Sequence, residues 1–252
     1  MAESTSRRPV AVVTGGSRGI GAATAVRLAE EGYDVVVTFA TRADAASAVV
    51  ARCEGAGARA SAVRLDLRDL DGVAEVFEHT DREHGRLDLL VNNAGVLPPA
   101  GRVADLDAAR VTSTLLVDAA GPALCAAGAV RRMSTTHGGS GGVVVNVSSR
   151  AAQRGGAGEF VDYAMAKAAV DALTTGLAAE VADEGIRVVG VRPGLVDTDM
   201  NAGQPGRLDR LVATVPLGRA GTADEVAAAI CWLAGPDAAY VTGVTLDVSG
   251  GR

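Results

Sequence analysis

The sequence predicts an α/β fold: a single doubly wound parallel sheet of about seven strands, with helices on both faces. Three observations predict it. Short Val-rich runs alternate with longer Ala-rich segments along the chain. Most of these runs are continuously apolar, as strands must be when helices cover both sheet faces. The 252 residues, 48% hydrophobic and 21% charged, suffice for one α/β domain with a substantial core. No internal repeat or linker divides the chain, so residues 10–252 are expected to form one domain behind a flexible polar leader, 1–9.

Strands are expected at Val10–Thr14, Asp34–Thr38, Ala60–Leu65, Leu89–Val91, Val143–Val147, Arg187–Val191 and Val244–Asp247. Between them, helices are expected at Ile20–Glu31, Ala43–Glu54, Leu70–His84, Leu106–Met133, Tyr163–Asp183 and Ala223–Leu233. The Gly-rich stretch His137–Gly142 reads as a loop. Asp197–Pro216 lacks periodicity and reads as a segment covering the substrate.

Composition excludes several function classes. Aromatic residues are only 3%, which disfavours stacking platforms for nucleic acid. The net charge is −6 with no basic stripe, so nucleic acid and anionic membrane are poor partners. No apolar run approaches the roughly 20 residues of a membrane helix. Three scattered cysteines (Cys53, Cys125, Cys231) fit free thiols in a reducing, cytoplasmic setting. His79, His84 and His137 lack a metal-ligand spacing and read as surface residues; no metal is expected.

The first strand runs into Thr14-Gly15-Gly16-Ser17-Arg18-Gly19-Ile20-Gly21, and a helix follows. Glycines let the backbone turn tightly against a pyrophosphate, and the N–H groups opening the helix attract it. A glycine turn holding no ligand is the bland alternative. The second strand ends Val37-Thr38-Phe39-Ala40-Thr41-Arg42 with no acid to take ribose hydroxyls. Arg18 and Arg42 instead suit a 2′-phosphate, which a carboxylate there would repel. Both could equally be solvated surface arginines. Tyr163 and Lys167 lie four apart in a helical segment, hence on one face. A phenol ionises near ~10, and a neighbouring ammonium lowers that value.

These motifs, with Asn92-Asn93-Ala94-Gly95 and Pro193-Gly194, resemble in order and spacing the short-chain dehydrogenase/reductase family, over nearly the whole chain. The resemblance implies an NADP(H)-dependent oxidoreductase interconverting a carbonyl (ketone or aldehyde) and an alcohol. Tyr163 would be the acid/base, Lys167 would tune it and bind the nicotinamide ribose, and Ser149 would hold the substrate carbonyl. Ser149 stands fourteen residues before Tyr163, one more than expected, so Ser148 is a minor alternative. The cofactor site implied comprises Gly15, Ser17, Arg18, Gly19, Ile20, Gly21, Arg42, Asp66 (at the adenine), Leu67, Asn93, Ala94, Gly95, Tyr163, Lys167, Pro193, Gly194, Val196 and Thr198. Val96, Phe160 and Met200 join Ser149 as expected substrate contacts. Family members are often tetramers or dimers, so a homo-oligomer, a homotetramer first, is expected.

Two residues depart from the family pattern. The family's fourth catalytic residue, an Asn, is Asp118 here, and Pro122 follows it. Asp118 brings a charge that offsets the field of Lys167 on Tyr163. Pro122 lacks the N–H that would bond the carbonyl of residue 118, leaving it for a proton-relay water. A second reading follows from these departures alone: an NADP(H)-binding protein with little turnover, acting as a sensor or assembly partner.

Overall fold

The valine runs become the strands of one sheet. The computed structural model describes residues 8–198 and 206–252. The strands are β1 (Val10–Val13), β2 (Asp34–Phe39), β3 (Ala60–Arg64), β4 (Leu89–Asn92), β5 (Gly142–Val147), β6 (Ile186–Pro193) and β7 (Thr245–Val248). All pair in parallel, in the order β3-β2-β1-β4-β5-β6-β7.

Alternate strand residues feed two apolar layers, which is why both parities had to be hydrophobic. Ala11, Val13, Val35, Val37, Leu89 and Val91 pack with helices α1 (Gly19–Glu30), α2 (Ala43–Gly55) and α9 (Ala223–Ala234). Val12, Val36, Leu90, Val144 and Val188 face α3 (Val73–His84), α5 (Gly121–Met133) and α7 (Val161–Val181). The chain doubles back between β1 and β4. There the order reverses and a crevice opens at the carboxyl ends of the strands.

The expected helix Leu106–Met133 is not continuous. It consists of α4 (Ala108–Leu115), a π-helical turn at Leu116–Ala120, and α5. Pro122 supplies the reason: with no N–H it cannot continue the α-helical ladder, and the Gly121 N–H reaches back five residues to the Leu116 carbonyl. The turn coincides with the position of Asp118, which is fully buried. By length and composition Ala108–Met133 is long and apolar enough to cross a membrane, which the sequence reading did not register. Half of its most apolar stretch is buried inside the fold, and of its four charges Arg110, Asp118 and Arg132 are paired with Asp162, Lys167 and Asp81. The short helix α6 (Ala151–Arg154) lies in a segment expected as a loop, and α8 (Arg207–Val212) is a single short helix within the substrate-covering segment 197–216.

Of the expected leader, residues 1–7 lie outside the described residues. Arg8 and Pro9 are tied down: Arg8 donates to the carbonyls of Ala29 and Gly57, and Asp34 N–H donates to Pro9. His84 is a correction. It is buried, not on the surface, because it continues the inward stripe Val73, Val76, Phe77 and Thr80 of α3. Burial lowers its pKa. Burial also pushes the Cys53 thiol up to about 11 and those of Cys125 and Cys231 to about 12, so none is a thiolate near neutral pH.

Candidate active site

The glycine turn is held open by a hydroxyl and an amide. Thr14 Oγ1 accepts the N–H groups of Asn93 and Ala94, and Asn93 Nδ2 donates to the carbonyls of Thr14 and Gly15. These bonds bind the end of β1 to the end of β4. Gly15 has φ +63, and a Cβ there would come within 2.8 Å of Ala94 Cα, so no other residue fits. Thr38 Oγ1 accepts from Gly15 N–H at 3.1 Å. α1 then starts at Gly19 with no side-chain cap and no acid in its first turn. Its first N–H groups therefore meet no carboxylate of their own helix, which suits a phosphate. Arg18 is exposed; Arg42, also exposed, has its nearest acid, Asp44, at 3.5 Å. The residues present thus fit a nicotinamide dinucleotide.

Across the crevice, α7 carries Tyr163 and Lys167 toward the end of β5. Asp162, wholly buried as a side chain, accepts both Nε and Nη2 of Arg110 at 2.7 and 3.0 Å and so fixes the first turn of α7 to α4. Lys167 is buried. Its Nζ donates to the Val147 carbonyl at 3.1 Å, stands 3.2 Å from Asp118 Oδ1, and lies 5.7 Å from the Tyr163 ring centroid. Asp118 also accepts from the Val96 N–H at 3.2 Å. Gly95 makes this possible, because a Cβ there would sit 2.6 Å from Asp118 Oδ1.

Burial pushes the Asp118 carboxyl above its ordinary pKa, with the Lys167 ammonium pulling the other way. Burial likewise disfavours the ammonium, yet Asp118 and Tyr163 outweigh it and hold Lys167 above its usual value. Lys167 is therefore a fixed cation at neutral pH.

The two serines at the end of β5 have different partners. Ser148 Oγ is buried and donates to the Lys167 carbonyl, tying α7 to the sheet. Ser149 Oγ accepts from Ala151 N–H at 3.1 Å, which leaves its own proton for another acceptor, and both serines line the cavity.

A cavity of about 200 Å³ unites these groups. Ile20, Asn93, Gly95, Ser149, Phe160, Tyr163, Lys167, Pro193, Gly194, Val196 and Thr198, all expected site residues, line it. Others stand back from it. Val96 is 41% exposed and does not line the cavity, whereas Leu97 does. Asp66 gives its carboxylate to Arg68 at 2.6 and 2.9 Å, and Leu67 packs on Gly121. Gly15, Ser17, Arg18, Gly19, Gly21, Arg42 and Ala94 belong to the turn and its flank. Met200 lies outside the described residues.

Three supports surround the site; sequence reasoning reached the first only in part, reading Asn92 as a residue that shapes the turn or serves the sheet, without its partners. Asn92 Nδ2 donates to the Pro122 carbonyl and to Asn146 Oδ1, and Asn146 Nδ2 donates to Thr174 Oγ1. This buried chain holds the start of α5, just after the π turn, to β4, β5 and α7. The Arg110–Asp162 pair is the second. The third is Arg150, whose Nε donates to the Arg252 carbonyl and brings residue 252 to the cavity wall. Only the Asp beside Tyr163 gave a local signal.

A crevice of this kind, where a doubly wound sheet reverses, is where such folds bind dinucleotides and other ligands. Comparison with known proteins narrows the class: the chain belongs to the short-chain dehydrogenase/reductase family. Residues 15–252 match the family model described as enoyl-(acyl carrier protein) reductase. The chain is 47% identical to the uncharacterized oxidoreductase YgfF of Escherichia coli, covering 96% of this chain and 99% of that one. It is 42% identical to cis-4-hydroxycyclohexanecarboxylate dehydrogenase of Sinomonas cyclohexanicum, covering 100% and 98%. A crystal structure of a short-chain dehydrogenase from Burkholderia cenocepacia in complex with NADP superposes with a TM-score of 0.90, at 37% identity over 97% of each chain.

Proposed function

We propose that this chain is an NADP(H)-dependent oxidoreductase that interconverts a ketone or aldehyde with its alcohol, with Tyr163 as acid/base. One observation carries the reading: a buried, fixed ammonium beside a tyrosine ring, on the wall of a cavity that begins at the glycine turn. The NADP bound by the Burkholderia relative supports the choice of cofactor.

A nicotinamide held there would supply the hydride chemistry. The chain's own residues do the rest. Backbone N–H groups of the glycine turn and of α1 hold the pyrophosphate. Arg18 and Arg42 take the 2′-phosphate, with no acid at the end of β2 to oppose them. Pro193, Gly194, Val196 and Thr198 wall the nicotinamide end. Ser149 Oγ donates to the substrate oxygen. In reduction, Tyr163 gives that oxygen its phenolic proton; in oxidation, its phenolate takes the proton back. Lys167 favours the phenolate by its charge.

The helices α4–α5 and α7 present Leu124 and Met165, 43% and 49% exposed, which supports a homo-oligomer, a tetramer or dimer, paired through them. The contact between Asp118 and Lys167 favours the second reading, a cofactor-binding protein with little turnover, because it weakens the field on Tyr163. Following NADPH absorbance over a panel of ketones and aldehydes separates the two. The proposal expects oxidation of NADPH, at least about tenfold better in kcat/KM than of NADH, and loss of that preference in R18A/R42A. NADPH binding without oxidation across the panel would replace it with the second reading.

A further inference from the structure

The helix that carries Tyr163 is tied to the sheet from Lys167 onward. Lys167 Nζ donates to the Val147 carbonyl at 3.1 Å, and Ser148 Oγ donates to the Lys167 carbonyl at 3.0 Å. Asn146 Nδ2 donates to Thr174 Oγ1 at 2.9 Å. Tyr163 lies one turn ahead of these bonds, in the first turn of α7. The chain enters that turn through Gly155, Gly156 and Gly158, all at positive φ, and Phe160 gives α7 no side-chain cap. Glycines leave the backbone many conformations, so this entry does not by itself fix where the turn sits.

Asp162 supplies an anchor there. It adjoins Tyr163, its side chain is wholly buried, and Arg110 of α4 forks onto it with Nε and Nη2 at 2.7 and 3.0 Å. Two parallel N–H bonds set distance and angle together, which a single ammonium contact does not. Burial would raise the Asp162 carboxyl, yet Arg110 and the Tyr163 N–H outweigh it and hold it below the ordinary value. An acid in a first turn can serve the helix dipole alone, but that role needs no buried fork to another helix.

Arg110 is itself held in place. Its N–H donates at 2.8 Å to Asp107, the cap of α4, and a Cβ on Gly101 would come within 3.0 Å of its Nη1. The Gly101 N–H donates to the Glu159 carbonyl at 2.9 Å, just ahead of α7. One guanidinium thus packs α4, the loop after β4 and the turn of Tyr163 against each other. Tyr163 lines the cavity; Arg110 and Asp162 do not, so whatever they do for the chemistry passes through a neighbour.

We propose that Arg110 and Asp162 are positioning residues for Tyr163, their fork setting where the phenol stands over the cavity. The inference rests on the oxidoreductase reading and deepens it, since a phenol needs this placement only if it trades a proton there.

The test is a double-mutant cycle between R110K and Y163F, in the full chain with NADPH and cyclohexanone, or whichever ketone or aldehyde of the panel the wild type reduces fastest. R110K keeps the positive charge, so no buried carboxylate is left unpaired, but lysine cannot fork. With Tyr163 present, R110K is expected to lower the rate about tenfold, through kcat rather than KM. The Kd for NADPH, read by nucleotide fluorescence, is expected to hold within about twofold. In Y163F, followed by single turnover, the same change is expected to cost less than about twofold, because no hydroxyl remains to be placed. R110M/D162L replaces the pair by apolar chains of similar bulk and is expected to repeat the loss in kcat with the melting temperature little changed. Equal losses from R110K with and without the hydroxyl would make the fork a support of the fold and overturn the proposal. Full kcat in R110K or in R110M/D162L would overturn it too, and in each of these cases the oxidoreductase reading stands. NADPH oxidation by no compound of the panel, or by Y163F as fast as by wild type, would instead remove that reading or its acid/base, and this inference with it.

Discussion

At the amino ends of the strands, Asp34 and Asp88 accept backbone N–H groups: Arg59 N–H at 2.8 Å and Val10 N–H at 2.7 Å. Arg86 forks onto Asp88, and Arg8 and His84 stand 3.4 and 3.8 Å from Asp34. At the carboxyl ends, Asp118 and Lys167 are buried more deeply still, and Lys167 lies on the wall of a cavity beside a tyrosine. Both ends therefore place a buried carboxylate beside a basic side chain, Asp34 by His84 at one and Asp118 by Lys167 at the other. One set closes strand ends and touches no cavity; the other borders open space where a substrate can sit. Burial of charge does not by itself mark an active site. Burial of charge against an open cavity and a second titratable group does.

The largest effect that would break this contrast is the removal of the hydroxyl of Tyr163. Y163F is expected to lower kcat about a thousandfold or more while NADPH binding and the melting temperature change little. Hydride transfer at wild-type speed would remove the chemical role from the carboxyl end altogether.

D118N sharpens the contrast from the same side. The Asp118 carboxylate lies on Lys167, and the nearby acids Asp162 and Asp171 are already matched by Arg110 and Arg192. A negative charge on Lys167 disfavours the Tyr163 phenolate that oxidation needs. Its removal is expected to move the alkaline-rising limb of alcohol oxidation about one pH unit toward acid. Superimposable pH–rate profiles would mean that Asp118 is a support like Asp88.

D88A tests the other end. It strips Val10 N–H and the Arg86 fork of their acceptor, so denaturant unfolding should show a loss of about 1–3 kcal/mol. The kcat should hold within about twofold. A large loss of activity at unchanged stability would erase the distinction between the two ends.

How legible each end was follows from where its signals lie along the chain. The strands were readable because both residue parities are apolar, and the glycine turn because its parts are consecutive. The π turn was half readable: Pro122 marked the break, but only the fold shows Gly121 reaching back to Leu116. Asp118 meets Lys167 across 49 residues, and no local pattern carries that contact; the family resemblance did. His84 could have been read from its place on the apolar stripe of α3, where residue type was allowed to outweigh spacing. Arg150 and Arg252 are 102 residues apart and share the cavity only because β6 and β7 bring the chain's last residues there.

The smallest effect separates position from role within the carboxyl end itself. α9 starts beside the site, since Gly221 bridges Val196 on the cavity wall. Its capping box is complete: Thr222 accepts from Glu225 N–H, and Glu225 accepts from Thr222 N–H. Arg219 and that N–H hold the Glu225 carboxyl at about 2. Because the folded value lies below the ordinary glutamate value near ~4.3, the cap stabilises above that pH and fades as pH falls toward ~2. Urea unfolding of wild type and E225Q should therefore differ most at pH 6, less at pH 3, and converge only near pH 2, with kcat the same throughout. A constant difference would mean that the charge is irrelevant to the cap. A change in kcat would mean that even a solvent-facing carboxylate at this end reaches the chemistry, and the line between the two roles would have to be drawn around the whole end rather than around the cavity.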